Sequence, residues 1–128
     1  MEDEKFARTE SLLGAEVMGR LRSVRVIVFG VGGVGSWCAE SLVRTGVHHL
    51  TIVDSDEVCA SNVNRQMMAT TKTVGRVKVD ALKERLLEIN PDAQIDAVHR
   101  MYTAHNLCTK QAFRSGKFFV FHFTSFSQ

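Results

Sequence analysis

The chain has 128 residues, 45% of them hydrophobic and 23% charged, which suits one globular domain and is too short for a nucleotide domain plus a full second domain. A formal net charge of +2, with Lys and Arg dispersed among acidic residues, neither demands nor excludes a nucleic-acid partner. No apolar run approaches the ~20 residues that span a bilayer, and Met1–Lys5 is polar, so neither a membrane span nor a leader segment is expected.

Taken in order, the apolar positions 6, 12, 13, 17, 18 and 21 have helical spacing and predict a helix over Phe6–Leu21. Arg25–Phe29 is a short β-branched run suited to a strand buried on both faces. A glycine cluster follows, then a helix over Ser36–Thr45 closed by Gly46. His49–Val53 reads as a second strand ending at Asp54. The polar stretch from Asp56 to Thr73 is expected to be irregular, with a helical turn near Asn62–Met67. Gly75–Asn90 predicts a helix ended by Asn90-Pro91. Gln94–Val98 is a third strand, Ala104–Phe113 a helix and Lys117–Phe123 a fourth strand. Alternating strands and helices of these lengths imply an α/β fold, a Rossmann-like parallel sheet with flanking helices. Ligands of such sheets bind outside the carboxyl ends of the strands.

Gly30-Val31-Gly32-Gly33-Val34-Gly35 fits G-x-G-x-x-G between a strand and a helix. The glycines allow a tight turn, close approach of backbone to a phosphate, and helix–strand packing. Free N–H groups and the helix dipole then face the anion. Asp54 follows Gly35 at the spacing of a ribose-binding acid, and a turn cap is its alternative role. The loop alone leaves NAD and ATP both open. The residues after Asp54 favour ATP: Asn62, Asn64, Arg65 and Gln66, with Lys78 opening the next helix, place cations and amides where a triphosphate would lie. Singly, Arg65 and Lys78 would read as solvated charges.

Gly30 to Gly35, Asp54 with Asp56, Asn62 with Asn64-Arg65-Gln66, and Gly75 with Lys78 resemble the E1-like (ThiF/MoeB/HesA) superfamily. The stretches GGVGSWCAESLVRTG (32–46) and NVNRQ (62–66) are similar to those of tRNA threonylcarbamoyladenosine dehydratases. The resemblance covers about Arg8 to Tyr102. It implies ATP- and Mg²⁺-dependent adenylation of the threonyl carboxylate of a modified adenosine in tRNA, and dehydration to a cyclic form. By the same resemblance Gly30, Gly32, Gly33 and Gly35 cradle phosphates, Asp54 holds the ribose hydroxyls, Asn62, Arg65 and Lys78 orient the triphosphate, and Asp56 and Gln66 complete the nucleotide-binding set. Arg65, Lys78 and Arg8 are the implied catalytic cations. Arg8 matches a position that reaches into a partner's site, implying a homodimer. An adenylyltransferase of a ubiquitin-like sulfur-carrier protein is an alternative. So are an NAD-dependent oxidoreductase and an inactive nucleotide-binding fragment.

Two features depart from the family pattern. Its fourth strand ends in Asp-x-x-Asp, the first Asp serving Mg²⁺, whereas these positions read His122 and Ser125, so no metal residue is assigned. Six of the eight phenylalanines fall between Phe113 and Phe126. This predicts a domain over 1–116 that is incomplete on its C-terminal side, followed by an atypical Phe-rich tail over 117–128. A truncated or frame-shifted reading would produce such a tail. Cys38, Cys59 and Cys108 lack C-x-x-C spacing and read as reduced thiols of a cytoplasmic protein, ahead of a disulfide or metal site.

Overall fold

The structure, a computed structural model, describes residues 3–101 and 118–123. Four strands, β1 (Arg25–Phe29), β2 (His49–Asp54), β3 (Gln94–His99) and β4 (Phe118–His122), form one sheet in the order β3-β2-β1-β4. Every neighbouring pair is parallel, in registers such as Val28↔Ile52, Leu50↔Ile95 and Val28↔Phe121. The α/β class and the four strands expected from the sequence are therefore present. The order reverses between β1 and β4, which places the switch-point crevice at the carboxyl end of β1.

The central strands are apolar on both faces because both faces are covered. Val26 and Val28 of β1 pack with Leu50, Ile52 and Ile95 against one layer, α3 (Gly35–Thr45) and α4 (Lys78–Ile89), through Ala39, Val43, Val79, Leu82 and Leu86. On the opposite face Ile27, Phe29 and Val53 form a smaller buried cluster with Val98. Because hydrophobic stabilisation scales with buried apolar area, the larger cluster on the α3–α4 side contributes more than the opposite one among the described residues.

The N-terminal segment departs from the single helix expected. It is a 3₁₀ turn (Glu4–Phe6), then α1 (Ala7–Leu13) and α2 (Ala15–Ser23). The break is Gly14, at φ 84° and ψ 158°, a conformation closed to residues with a Cβ. As a result Leu12, Leu13 and Val17 do not reach the core, while Phe6 and Met18 are buried and close over the turn at Gly46. The helix expected from Gly75 starts only at Lys78. Arg76 and Lys78 instead join the preceding loop, through Val58 N–H donating to Arg76 O at 2.8 Å and Lys78 N–H to Asp56 O at 3.0 Å. Ala60–Asn62 is a 3₁₀ turn continued by single turns to Gln66, close to the helical turn expected there. The helix expected over Ala104–Phe113 lies outside the described residues. Among the described residues, no helix is long and apolar enough to cross a membrane.

Candidate functional site

The carboxyl ends of β1, β2 and β4 open into a cavity of about 480 Å³. It is lined by Gly30, Gly32, Gly33, Val34, Gly35, Asp54, Asp56, Arg65, Gln66, Lys78, His122 and Phe123. Nine of the ten binding residues expected from the sequence are in this set, and only Asn62 is missing.

The glycine loop is built by close approach. A Cβ on Gly35 would overlap the Gly30 carbonyl oxygen, so only glycine lets α3 start this near β1. Gly32 to Gly35 contribute N–H groups that make no hydrogen bond among the described residues, and they sit at the positive end of α3. This is an anion cradle made of backbone.

Asp54 is buried, and each of its oxygens has a backbone partner. Oδ2 accepts from Val31 N–H and Oδ1 from Asp56 N–H, both at 2.9 Å. The carboxylate thus ties the glycine loop to the turn after β2. The cap role is realised, and the side chain also borders the cavity, with acceptor capacity left on each oxygen.

Lys78 stands at the first position of α4 with only 6% exposure, and its Nζ lies 3.6 Å from Oδ2 of the largely exposed Asp56. A buried ammonium at a helix N-terminus is doubly opposed, by lost hydration and by the helix dipole. An anion in the cavity would relieve both. Arg65 is exposed; its aliphatic stem crosses Gly33, and its guanidinium donates to Ser61 O and Asn64 Oδ1, each at 3.0 Å. Gln66 is buried, with Oε1 lacking any partner among the described residues. A buried amide left unmet in this way is the mark of a group awaiting a ligand or water.

Asn62 is placed elsewhere. It is buried, and its Oδ1 accepts from Cys59 N–H at 2.9 Å, so its amide shapes the 3₁₀ turn that presents Arg65. Arg8 lies on the surface of α1 and does not line this cavity. His122 borders the cavity in ring contact with Phe29, at 6.4 Å between centroids. Ser125 and Cys108 lie outside the described residues; Cys38 and Cys59 are free thiols. Sequence reasoning missed Ser36 and Trp37, whose side chains hold the Arg65 segment. A serine and an indole in the first turn of a helix gave no signal separable from capping and packing.

Comparison with known proteins gives the chain a family. The ThiF family model matches residues 6–120. The tRNA threonylcarbamoyladenosine dehydratase of Bacillus subtilis is 46% identical over 99 residues, covering 77% of this chain and 39% of that protein. The adenylyltransferase and sulfurtransferase MOCS3 of Culex quinquefasciatus is 35% identical over 99 residues, covering 77% of this chain and 23% of that protein. The solved Escherichia coli dehydratase TcdA in complex with ATP superposes with a TM-score of 0.83 at 35% identity, over 87% of this chain and 46% of that one. The chain thus spans less than half the length of these relatives. It belongs to the ThiF family.

Proposed function

We propose that this ThiF-family chain binds ATP at the carboxyl edge of its sheet and forms the nucleotide half of a carboxylate-adenylating enzyme. Its substrate is the threonylcarbamoyl carboxylate of modified adenosine in tRNA. The observation that carries the reading is the convergence on one cavity of unpaired loop N–H groups, Lys78, Arg65 and the unmet amide of Gln66. A substrate carboxylate oxygen attacks the α-phosphorus, the bond to the β-phosphate oxygen breaks and pyrophosphate leaves. Another group of the same threonylcarbamoyl unit then bonds to the acyl carbon and gives up a proton to solvent, while the acyl C–O bond breaks and AMP departs with the carboxylate oxygen. That is the net loss of water.

The N–H groups of Gly32 to Gly35 hold phosphate oxygens. Lys78 exchanges its long contact with Asp56 for the phosphates, and Arg65 turns from Ser61 and Asn64 onto the leaving pyrophosphate. Asp54 keeps the ribose side of the cavity rigid. Asn62 acts through the turn it builds. Arg8 serves a second copy of the chain, in a homodimer. The reduced thiols Cys38 and Cys59 suit a cytoplasmic setting.

Among the described residues the cavity offers two carboxylates, Asp54 and Asp56, to an Mg²⁺ ion that the ATP phosphates and water would largely hold. Each Asp54 oxygen accepts one backbone N–H and keeps room for a further contact, Asp56 faces Lys78, and His122 stands at the carboxyl end of β4. Among the described residues no three His, Cys, Asp or Glu side chains converge as metal ligands do. The same arrangement supports a second reading, nucleotide binding without turnover.

Calorimetry with ATP and NAD tests the nucleotide assignment. ATP should bind, and Lys78→Met should weaken it at least tenfold, about 1.4 kcal/mol. Tighter binding of NAD than of ATP would overturn it. ATP–pyrophosphate exchange stimulated by threonylcarbamoyl-modified tRNA supports the dehydratase. Stimulation only by a carrier protein's C-terminus supports the sulfur-carrier alternative. No exchange with either leaves the binding-only reading.

A further inference from the structure

We infer that the first turn of α3 is a clamp in which Ser36 and Trp37 act as positioning residues, holding the Arg65–Met67 segment over the glycine loop and so setting where Arg65 meets a nucleotide's phosphates. The inference rests on the nucleotide reading above and adds two residues that lie outside the cavity lining.

Trp37 is 53% exposed, yet its indole N–H is not given to water. Nε1 donates to the carbonyl oxygen of Arg65 at 2.9 Å. Two residues further on, Met67 N–H donates to Ser36 Oγ at 3.1 Å, and that hydroxyl donates in turn to Gly32 O at 2.5 Å. Ser36 is fully buried, so the hydroxyl that links Met67 to the glycine loop is itself shielded from solvent. The segment is therefore pinned at both ends of a two-residue span, once by a side chain from the surface and once from the interior.

Between the two pins lie the groups the nucleotide needs. A Cβ on Gly33 would stand 3.5 Å from Arg65 Cγ, so the arginine stem lies along the loop; a Cβ on Gly32 would stand 3.7 Å from Gln66 Nε2. Arg65 has many rotamers and an exposed head, and fixing its backbone removes the backbone share of its positional freedom before the phosphates arrive. Such preorganisation lowers the ordering cost of binding. A packing role alone would bury the indole, and more than half of it is in solvent.

The test uses the full chain with Trp37→Phe, which keeps the ring and removes the donor, and Ser36→Ala, which removes the relay. Amide hydrogen exchange over residues 61–68 reads the clamp without any ligand, and calorimetry with ATP and AMP reads its consequence. Each variant should speed exchange in that segment while leaving the strands unchanged. Each should also raise the Kd for ATP about tenfold, some 1.4 kcal/mol, and that for AMP by less than about twofold, because Arg65 addresses the phosphates that AMP lacks. Unchanged exchange over 61–68, or equal weakening of ATP and AMP, overturns the clamp. Failure of the parent chain to bind ATP would count against the nucleotide reading instead, and exchange would still decide the clamp.

Discussion

Two glycines of this chain should respond to alanine with opposite signs. At Gly35 an added methyl runs into the backbone carbonyl of Gly30, which cannot move without displacing β1 from the sheet. Gly35→Ala should destabilise by about 3 kcal/mol, the upper end for overpacking, and should also spoil the phosphate cradle. Gly19 lies in the interior of exposed α2 with nothing within 4 Å of its missing Cβ. Gly19→Ala should stabilise by about 0.5–1 kcal/mol through lost unfolded-state entropy. Urea unfolding of both variants decides; a stabilised Gly35→Ala would refute the loop geometry. At Cys38, partial burial pushes the thiol above its ordinary pKa, because the thiolate would lose hydration. Only the thiolate reacts, so alkylation of Cys38 should rise at higher pH than that of an unstructured cysteine peptide. Mass spectrometry of iodoacetamide-treated protein across pH checks this, and a profile displaced downward would contradict it.

Between elements, the contact of α3 with α4 holds a carboxylate whose contribution can be ranked. Glu40 is 8% exposed in its side chain and receives Arg44 Nε at 2.8 Å and, more loosely, Arg85 at 3.7 Å, while Oε2 has no partner among the described residues. Burial costs the carboxylate its hydration, and half-exposed arginines return only part of it. Glu40→Met should therefore be neutral or stabilising within about 1 kcal/mol, since both arginines can reach water. The double variant Arg44→Ala, Arg85→Ala strands the buried charge and should cost on the order of 3 kcal/mol. Leu82→Ala, which empties a fully buried site of α4, should cost about 2–5 kcal/mol. Thermal unfolding that ranked Glu40→Met as the worst of the three would show that the ion pair holds the helices together.

Elements also explain what the sequence could and could not disclose. The strands were legible because RVIVF and HLTIV are β-branched runs that only a doubly covered strand can use. The two N-terminal helices were not, because apolar spacing runs through Gly14 unchanged while the backbone turns there. Leu12 and Leu13 keep the period yet point to solvent. The start of α4 was read three residues early for a related reason: Arg76 and Lys78 have hydrogen-bond partners in the Asp56–Val58 loop, a tertiary fact with no local signature. Most of the cavity was legible, since a glycine loop and cations at fixed spacing are themselves local chemistry. Asn62 caps a 3₁₀ turn and does not line the cavity, and an amide at a phosphate site and an amide capping such a turn look alike in sequence.

At the scale of the whole molecule, the sheet formed by the described residues ends in β4, which presents Phe119 at 57%, Val120 at 46% and Phe121 at 38% exposure. Phe119 and Phe121 stand in register with Val26 and Val28, so the edge continues the apolar surface of β1 outward. An exposed strand edge with apolar side chains is a template for pairing with another chain. The proposed homodimer, in which Arg8 serves a partner's cavity, would use a different surface, on α1. The two modes can be separated by where a charge is placed. Multi-angle light scattering of the parent chain should give a mass above the 14.3 kDa of one copy, rising with concentration. Val120→Lys puts a charge in the middle of the edge, and should lower that mass without lowering ATP affinity if edge pairing dominates. Arg8→Glu should lower it, and adenylation with it, if the α1 surface dominates. A mass that stays at 14.3 kDa for the parent chain at high concentration would refute both modes. It would also mean that Phe119 and Phe121 remain in water without recruiting a second copy.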